Sequence, residues 1–310
     1  MEQSVPQGTA DGALTKGARA MAEKTTAVPA AALTTKSAKR ETGNKSMFGD
    51  KITAAFQPKG KIKQNTAMIL GIVAFLLILI LWSGLSYGKM VDPLFLPTPT
   101  ATLQASLQLF GSGFWTDIGM TVFRVMTGFV IAAVVAIPLG VLIGTYAPIS
   151  AFFEPVFSFV RYMPASAFIP LFIFWIGIGE SEKVAIIILG SLPQLVLMTA
   201  TNIRNVHSSL IEVSYTLGTN RKNVLWKVIL PKAMPDITDT LRIVLGWAWT
   251  YVIVAEMVGA SSGIGFKILQ AQRTVDVGKI FVGILILGLI GLMIDNLLLF
   301  LNKKLYPWNE

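Results

Sequence analysis

The chain has 310 residues, of which 53% are hydrophobic and only 14% charged, with a formal net charge of +9. Soluble domains carry about 25% charged residues, so this composition excludes a soluble globular protein and points to a polytopic helical membrane protein. Cysteine is absent and the one histidine is His207, which excludes disulfides, iron–sulfur clusters and a His/Cys zinc site.

Residues 1–65 are rich in Ala, Thr, Lys and Gly, with neither a helical apolar period nor the apolar core of a secretory signal. They are expected to form a disordered cytoplasmic tail. Met21 and Met47 lie inside it as alternative starts to Met1, so part of the tail can be a start-site artefact. Residues 66–304 are expected to form the transmembrane domain. A bilayer core of about 30 Å takes about 20 apolar residues as a helix, and six stretches answer to that. They run from about Thr66 to Leu85, Ile118 to Thr145, Phe152 to Ile178, Val184 to Ile203, Thr240 to Gly259 and Ile280 to Leu301.

The second stretch carries a small-xxx-small pair, Gly140 and Gly144, suited to close helix contact. The third is broken by Pro155, Pro164 and Pro170 and reads as an interfacial turn of helix followed by a kinked span. Proline also falls at Pro138 and Pro193. A proline in a span frees carbonyls that protein or a wet cavity must satisfy, so the unbroken first helix reads as peripheral to a bundle formed by the others.

Charge orients the chain. Eleven basic residues from Lys16 to Lys63, with Arg204, Arg221, Lys222, Lys227, Lys232, Lys303 and Lys304, fall on one side if both termini share it. The loops on the other side would hold only Lys89, Lys183, Lys267, Arg273 and Lys279. The positive-inside rule then places both termini in the cytoplasm. The net positive charge is read as lipid-facing, because no aromatic and basic interleaving supports nucleic-acid binding.

One cytoplasmic segment, 208–231, is neither span nor simple loop. Leu210, Val213 and Leu217 recur at helical spacing, and Val224, Leu225, Val228 and Ile229 form a second stripe. Gly218 separates them, Thr219 and Asn220 are suited to cap a new helix, and Pro231 is expected to stop it. Such a pair either lies on the membrane face or presents a ridge to a partner.

The spacing Glu212-x5-Gly218-x9-Val228-x-Leu230-Pro231 resembles the EAA loop of ABC-importer permeases, E-A-A-x3-G-x9-I-x-L-P, with Val213 and Ser214 where the alanines usually stand. The resemblance implies the six-helix, MetI-like permease fold of type I importers. It also implies that Glu212, Val213, Ser214, Gly218, Val228, Leu230 and Pro231 couple the chain to two cytoplasmic ABC ATPase subunits. An extracytoplasmic solute-binding protein completes the implied assembly. No G-x4-G-K-[ST] occurs, so ATP and Mg belong to the partner subunits; this chain is expected to be non-catalytic and to carry no cofactor or metal of its own. Six spans make a thin pathway, and a homodimer around a central axis is expected.

Further segments, "FLPTPTAT", "TVFRVMTGF", "MPASAFIPLFIFWIGIGESEK" and "LRIVLGWAWTYVIVAEMVGASSGIG", resemble the nitrate/sulfonate/taurine/bicarbonate branch of these bacterial inner-membrane permeases. Asp239 and Thr240 depart from the small residue and glycine usual there. The branch implies a small anion as cargo, and a guanidinium-like cation is the alternative. Intramembrane polar residues mark pathways, and Arg161, Met163, Gln194 and Glu256 are the candidates. Arg124 and Arg242 are expected to snorkel or cap at span ends, and Glu256 either pairs with an arginine or faces solute. "GASSGIG" reads as a tight turn rather than a phosphate loop. A secondary carrier would show a second copy of the broken segment, and a membrane enzyme would need clustered His, Asp or Cys. Neither pattern occurs. A structural or sensory scaffold would not bring an ATPase with it.

Overall fold

A computed structural model of the chain describes residues 63–309, so the expected tail lies almost wholly outside the described residues. Helix α1 (Gln64–Tyr87) is followed by α2 (Pro99–Gly111), α3 (Phe114–Thr145) and α4 (Ala147–Arg161). A 3₁₀ turn, Ala165–Phe168, leads to α5 (Ile169–Ile176), then α6 (Glu180–Arg204) and α7 (Ser208–Thr216). Helix α8 runs Arg221–Gly259 and is followed by α9 (Ile264–Arg273) and α10 (Val277–Leu305). Five of these, α1, α3, α6, α8 and α10, are long and apolar enough to cross a membrane, or up to six if the bent pair α4 with α5 counts as one span. The chain is an all-α polytopic membrane protein.

Helix α6 is the centre of the bundle, packed between α3 and α8. Its face reads Ile186, Ile187, Leu195, Val196, Ala200 and Ile203, all withdrawn from solvent. The α3 surface against it is built from glycines at the spacing the sequence suggests. A Cβ on Gly140 would lie 2.7 Å from the Val196 carbonyl oxygen, and one on Gly144 would lie 2.7 Å from that of Ala200. Without side chains at these positions the two backbones approach closely, which is how helices gain packing where water supplies no driving force. By contrast α1 has none of its most apolar window buried. Among the described residues it is tied at one end, where the Trp82 indole stacks on Phe281 at 5.8 Å and donates to the Pro97 carbonyl at 3.0 Å.

Three expectations are corrected. The third stretch is not a turn and a kinked span: it is a 15-residue helix, α4, bent by 84° from the short segment after it. Pro164 accounts for the break, since proline disfavours helical backbone in the residue before it, whereas Pro170 sits in the first turn of α5 behind a helical Ile169. Second, Pro231 does not stop a helix. A π-helical stretch, Leu225–Ile229, lies just before it, and α8 continues through Pro231 and Pro235 to Gly259. The wider turn accommodates the proline ring and its missing N–H. The fifth span is therefore part of a 39-residue helix that begins at Arg221 rather than Thr240. Third, Lys183 is not in a loop but in the first turn of α6, buried, with Nζ donating to the carbonyls of Gly179 and Gly259.

Helices α2 and α9 were not foreseen. Both are too short to span. Helix α2 nevertheless carries ordinary start signals: Thr98 caps it by accepting from the Ala101 N–H, and Pro99 opens it.

Candidate coupling loop and buried ion network

Helix α7 ends at Thr216, and Gly218 turns the chain with φ +79. That left-handed conformation is costly for any residue with a Cβ. The Thr219 N–H donates back to Ser214 O at 3.0 Å, and the Asn220 side chain then accepts from the Asn223 N–H at 2.9 Å, capping α8. Of the two expected caps, Asn220 is the one used.

The two apolar stripes face opposite ways. Val224 and Ile229 are buried in a small core with Ile203, Val206, Ala233 and Ile237, which fixes the start of α8 to the end of α6. Leu210, Val213 and Leu217 point out, Leu217 being 80% exposed, and Trp226 beside them is 64% exposed. Glu212 is also exposed, while Ser214, Val228, Leu230 and Pro231 are half-buried. The segment thus has one face anchored to the bundle and an apolar ridge around Gly218 that nothing in the described chain covers.

At the other end of α8 lies the densest polar contact set. Asp117, Thr121 and Arg124 sit at i, i+4 and i+7 on α3 and so share one face. Arg124 and Glu256 are both wholly withdrawn from solvent and meet at 2.7 Å. Glu256 also accepts from the Thr121 hydroxyl at 2.8 Å and the Gly265 N–H at 2.8 Å. Arg124 Nε and Nη2 grip both oxygens of Glu180, at 2.5 and 2.6 Å. Its remaining donors reach Ser262 O at 2.7 Å and Ser262 Oγ at 3.2 Å. Asp117 accepts from the Gly263 N–H at 2.8 Å.

The glycine-rich turn is therefore held on three sides. A Cβ on Gly263, where φ is +118, would fall 2.5 Å from the Glu256 carboxylate, so only glycine fits. An isolated charge in a span costs several kcal/mol, and pairing with hydrogen bonds to every lone pair is what makes it tolerable.

Arg124 thus neither snorkels nor caps, correcting that expectation. Arg242 lies inside α8, 21 residues after the helix begins, rather than at a helix end. It sits between Asp239 and Asp295, at 3.6 and 3.5 Å. Of the four residues suggested for the pathway, Glu256 is sealed in the ion network and Gln194 is half-buried in α6. Arg161 and Met163 are exposed at the α4 break, where the Arg161 guanidinium lies 5.0 Å from the Tyr162 ring centre. No hydrogen bond or ion pair among the described residues joins Arg161 or Gln194 to Glu256. Asp117, Thr121, Glu180 and Ser262 were missed; the shared helix face of Asp117, Thr121 and Arg124 was the available signal.

A membrane-embedded helical bundle with an anchored, outward-facing helix pair on one long span is the architecture of a transport-system permease. The family described as binding-protein-dependent transport system inner membrane component matches residues 136–306, and the chain belongs to it. The taurine transport system permease protein TauC of Escherichia coli (strain K12) is 30% identical over 254 residues, covering 80% of this chain and 92% of that protein. An ABC transporter permease protein of Brucella abortus (strain 2308) is 37% identical over 216 residues, covering 69% and 86%. Permeases named for aliphatic sulfonates, nitrate and bicarbonate match at 29 to 31% identity. Among solved structures, the inward-facing MetNI methionine ABC transporter aligns with a TM-score of 0.48 and 23% identity, over 62% of this chain and 96% of that one.

Proposed function

We propose that this inner-membrane protein forms the translocation pathway for a small oxyanion, such as nitrate, bicarbonate or a sulfonate like taurine, and that separate ATPase subunits drive it. The observation that supports the cargo class is the set of relatives named for taurine, sulfonates, nitrate and bicarbonate. The observation that supports the drive is the uncovered apolar ridge of Leu210, Val213, Leu217 and Trp226 around the positive-φ Gly218. Two ATPase subunits, each holding ATP and Mg, dock there; this chain itself does no bond chemistry. A second copy completes the pathway, and a solute-binding protein delivers cargo to the opposite face. With α7 in the cytoplasm, both termini are cytoplasmic and the Arg124 network faces outward. The 1–65 tail plays no part in this reading.

The test is uptake by proteoliposomes that hold the permease with its ATPase subunits and binding protein. Radiolabelled taurine, nitrate or bicarbonate should accumulate only with internal or external ATP on the ATPase side. Accumulation of a guanidinium compound instead, or ATP-independent uptake, would overturn the cargo or the drive respectively.

A further inference from the structure

Arg124 has more counter-charge than it needs. Glu256, buried and at 2.7 Å, already neutralises it and is itself saturated by Thr121 and Gly265. Glu180 is supernumerary. It makes no other side-chain hydrogen bond among the described residues, and its side chain is 49% exposed while that of Arg124 is fully covered. What it occupies is the Nε/Nη2 edge of the guanidinium, the edge whose parallel donors match two oxygens of a planar or tetrahedral oxyanion. It is also the first residue of α6, directly after Gly177-Ile178-Gly179, where an added Cβ at either glycine would meet open space.

We infer that the Arg124 edge is a binding site for a singly charged oxyanion and that the Glu180 carboxylate is a resident stand-in which the anion displaces. The exchange is charge-neutral: with Glu180 in place the group of Arg124, Glu180 and Glu256 carries one net negative charge and repels an added anion. With Glu180 swung into solvent, an arriving oxyanion restores the same balance. Ser262 Oγ, which accepts from Nη2, keeps its own proton free to donate to a third anion oxygen. The site is at the end of α8 opposite the coupling loop, reached from the solvent that bathes Glu180. The inference deepens the proposed anion cargo and rests on that reading for its role in transport.

The test uses the full chain in lipid nanodiscs, titrated calorimetrically with methanesulfonate at constant ionic strength, with guanidinium as the control ion. Glu180→Ala should tighten methanesulfonate binding about tenfold or more, the equivalent of losing one competing charge-assisted contact. Glu180→Gln, which keeps the size and drops the charge, should tighten it too and carries the test if the alanine variant fails to insert. Adding Ser262→Ala to either should reverse part of the gain, and guanidinium binding should not change. Unchanged or weaker methanesulfonate binding in both variants would overturn the site and leave Glu180 as a structural brace. The cargo reading fails separately: a transported cation together with the methanesulfonate gain would refute the cargo and keep the site.

Discussion

Arg124 on α3 and Glu256 on α8 are 132 positions apart in sequence and 2.7 Å apart in space, both at 0% exposure. Removing Arg124 strands Glu256, whose one ion pair among the described residues is with it, as an uncompensated charge inside a span, whereas Arg124 without Glu256 keeps Glu180. Arg124→Met should therefore destabilise the folded protein by about 3–5 kcal/mol, whereas Arg124→Met with Glu256→Leu should recover most of that loss. Thermal unfolding of the two variants in detergent compares them directly. A double variant as unstable as the single one would show that the pair is net stabilising.

The α3–α6 contact depends on missing side chains. Gly140→Val forces a Cβ to 2.6 Å from Thr199 Cβ and adds two methyl groups behind it, so the helices must part. We expect a loss of about 1–3 kcal/mol, typical of overpacking. Gly71→Val on the uncovered α1, where a Cβ meets nothing within 4 Å, should be close to neutral. Unfolding midpoints of the two should differ by several degrees.

Gly218→Leu separates coupling from folding. The position has open space around it but φ +79, so the substitution strains the turn by about 1–2 kcal/mol without a clash. Membrane insertion should be normal, while co-purification of the ATPase subunits and ATP-driven uptake should be lost. Leu217→Asp, which charges the most exposed side chain of the ridge, should act in the same way with no backbone effect. Full uptake in both variants would remove the proposed coupling role.

Asp239→Gly should matter little. Asp239 accepts from Asn302 Nδ2 at 3.1 Å and lies 3.6 Å from Arg242, with its side chain about half exposed. Arg242 keeps Asp295, and partly solvated pairs are worth about 0–1 kcal/mol. A loss within about 1 kcal/mol in thermal unfolding is expected.

The spans were legible because twenty apolar residues in a row have one physical use, and the loop at 208–231 was legible because its polar break and glycine stand out against that background. What stayed hidden has a common cause. Pro231 signals a stop in a regular helix, and nothing local announces that the five residues before it will open into a wider turn. Arg124, eleven positions into α3, looked like a residue near a span end, and only the return of α8 across the bundle reveals the carboxylate waiting for it. Pairings between distant segments leave no periodic trace in either one. Helices α2 and α9 had modest start signals that the search for long apolar stretches passed over.

The continuity of α8 has a mechanical consequence. At about 1.5 Å per residue its 39 residues reach about 58 Å, nearly twice the thickness of a bilayer core. The apolar ridge adjoins one tip and Glu256 stands at the other, with no proline interrupting the shaft beyond Pro235. Under the proposed coupling role, a push on the ridge is expected to arrive at the far surface as a tilt of a single lever, its compliant section confined to the π stretch and two prolines near the handle. On that reading, the state of the ion network and engagement of the ridge are expected to change together.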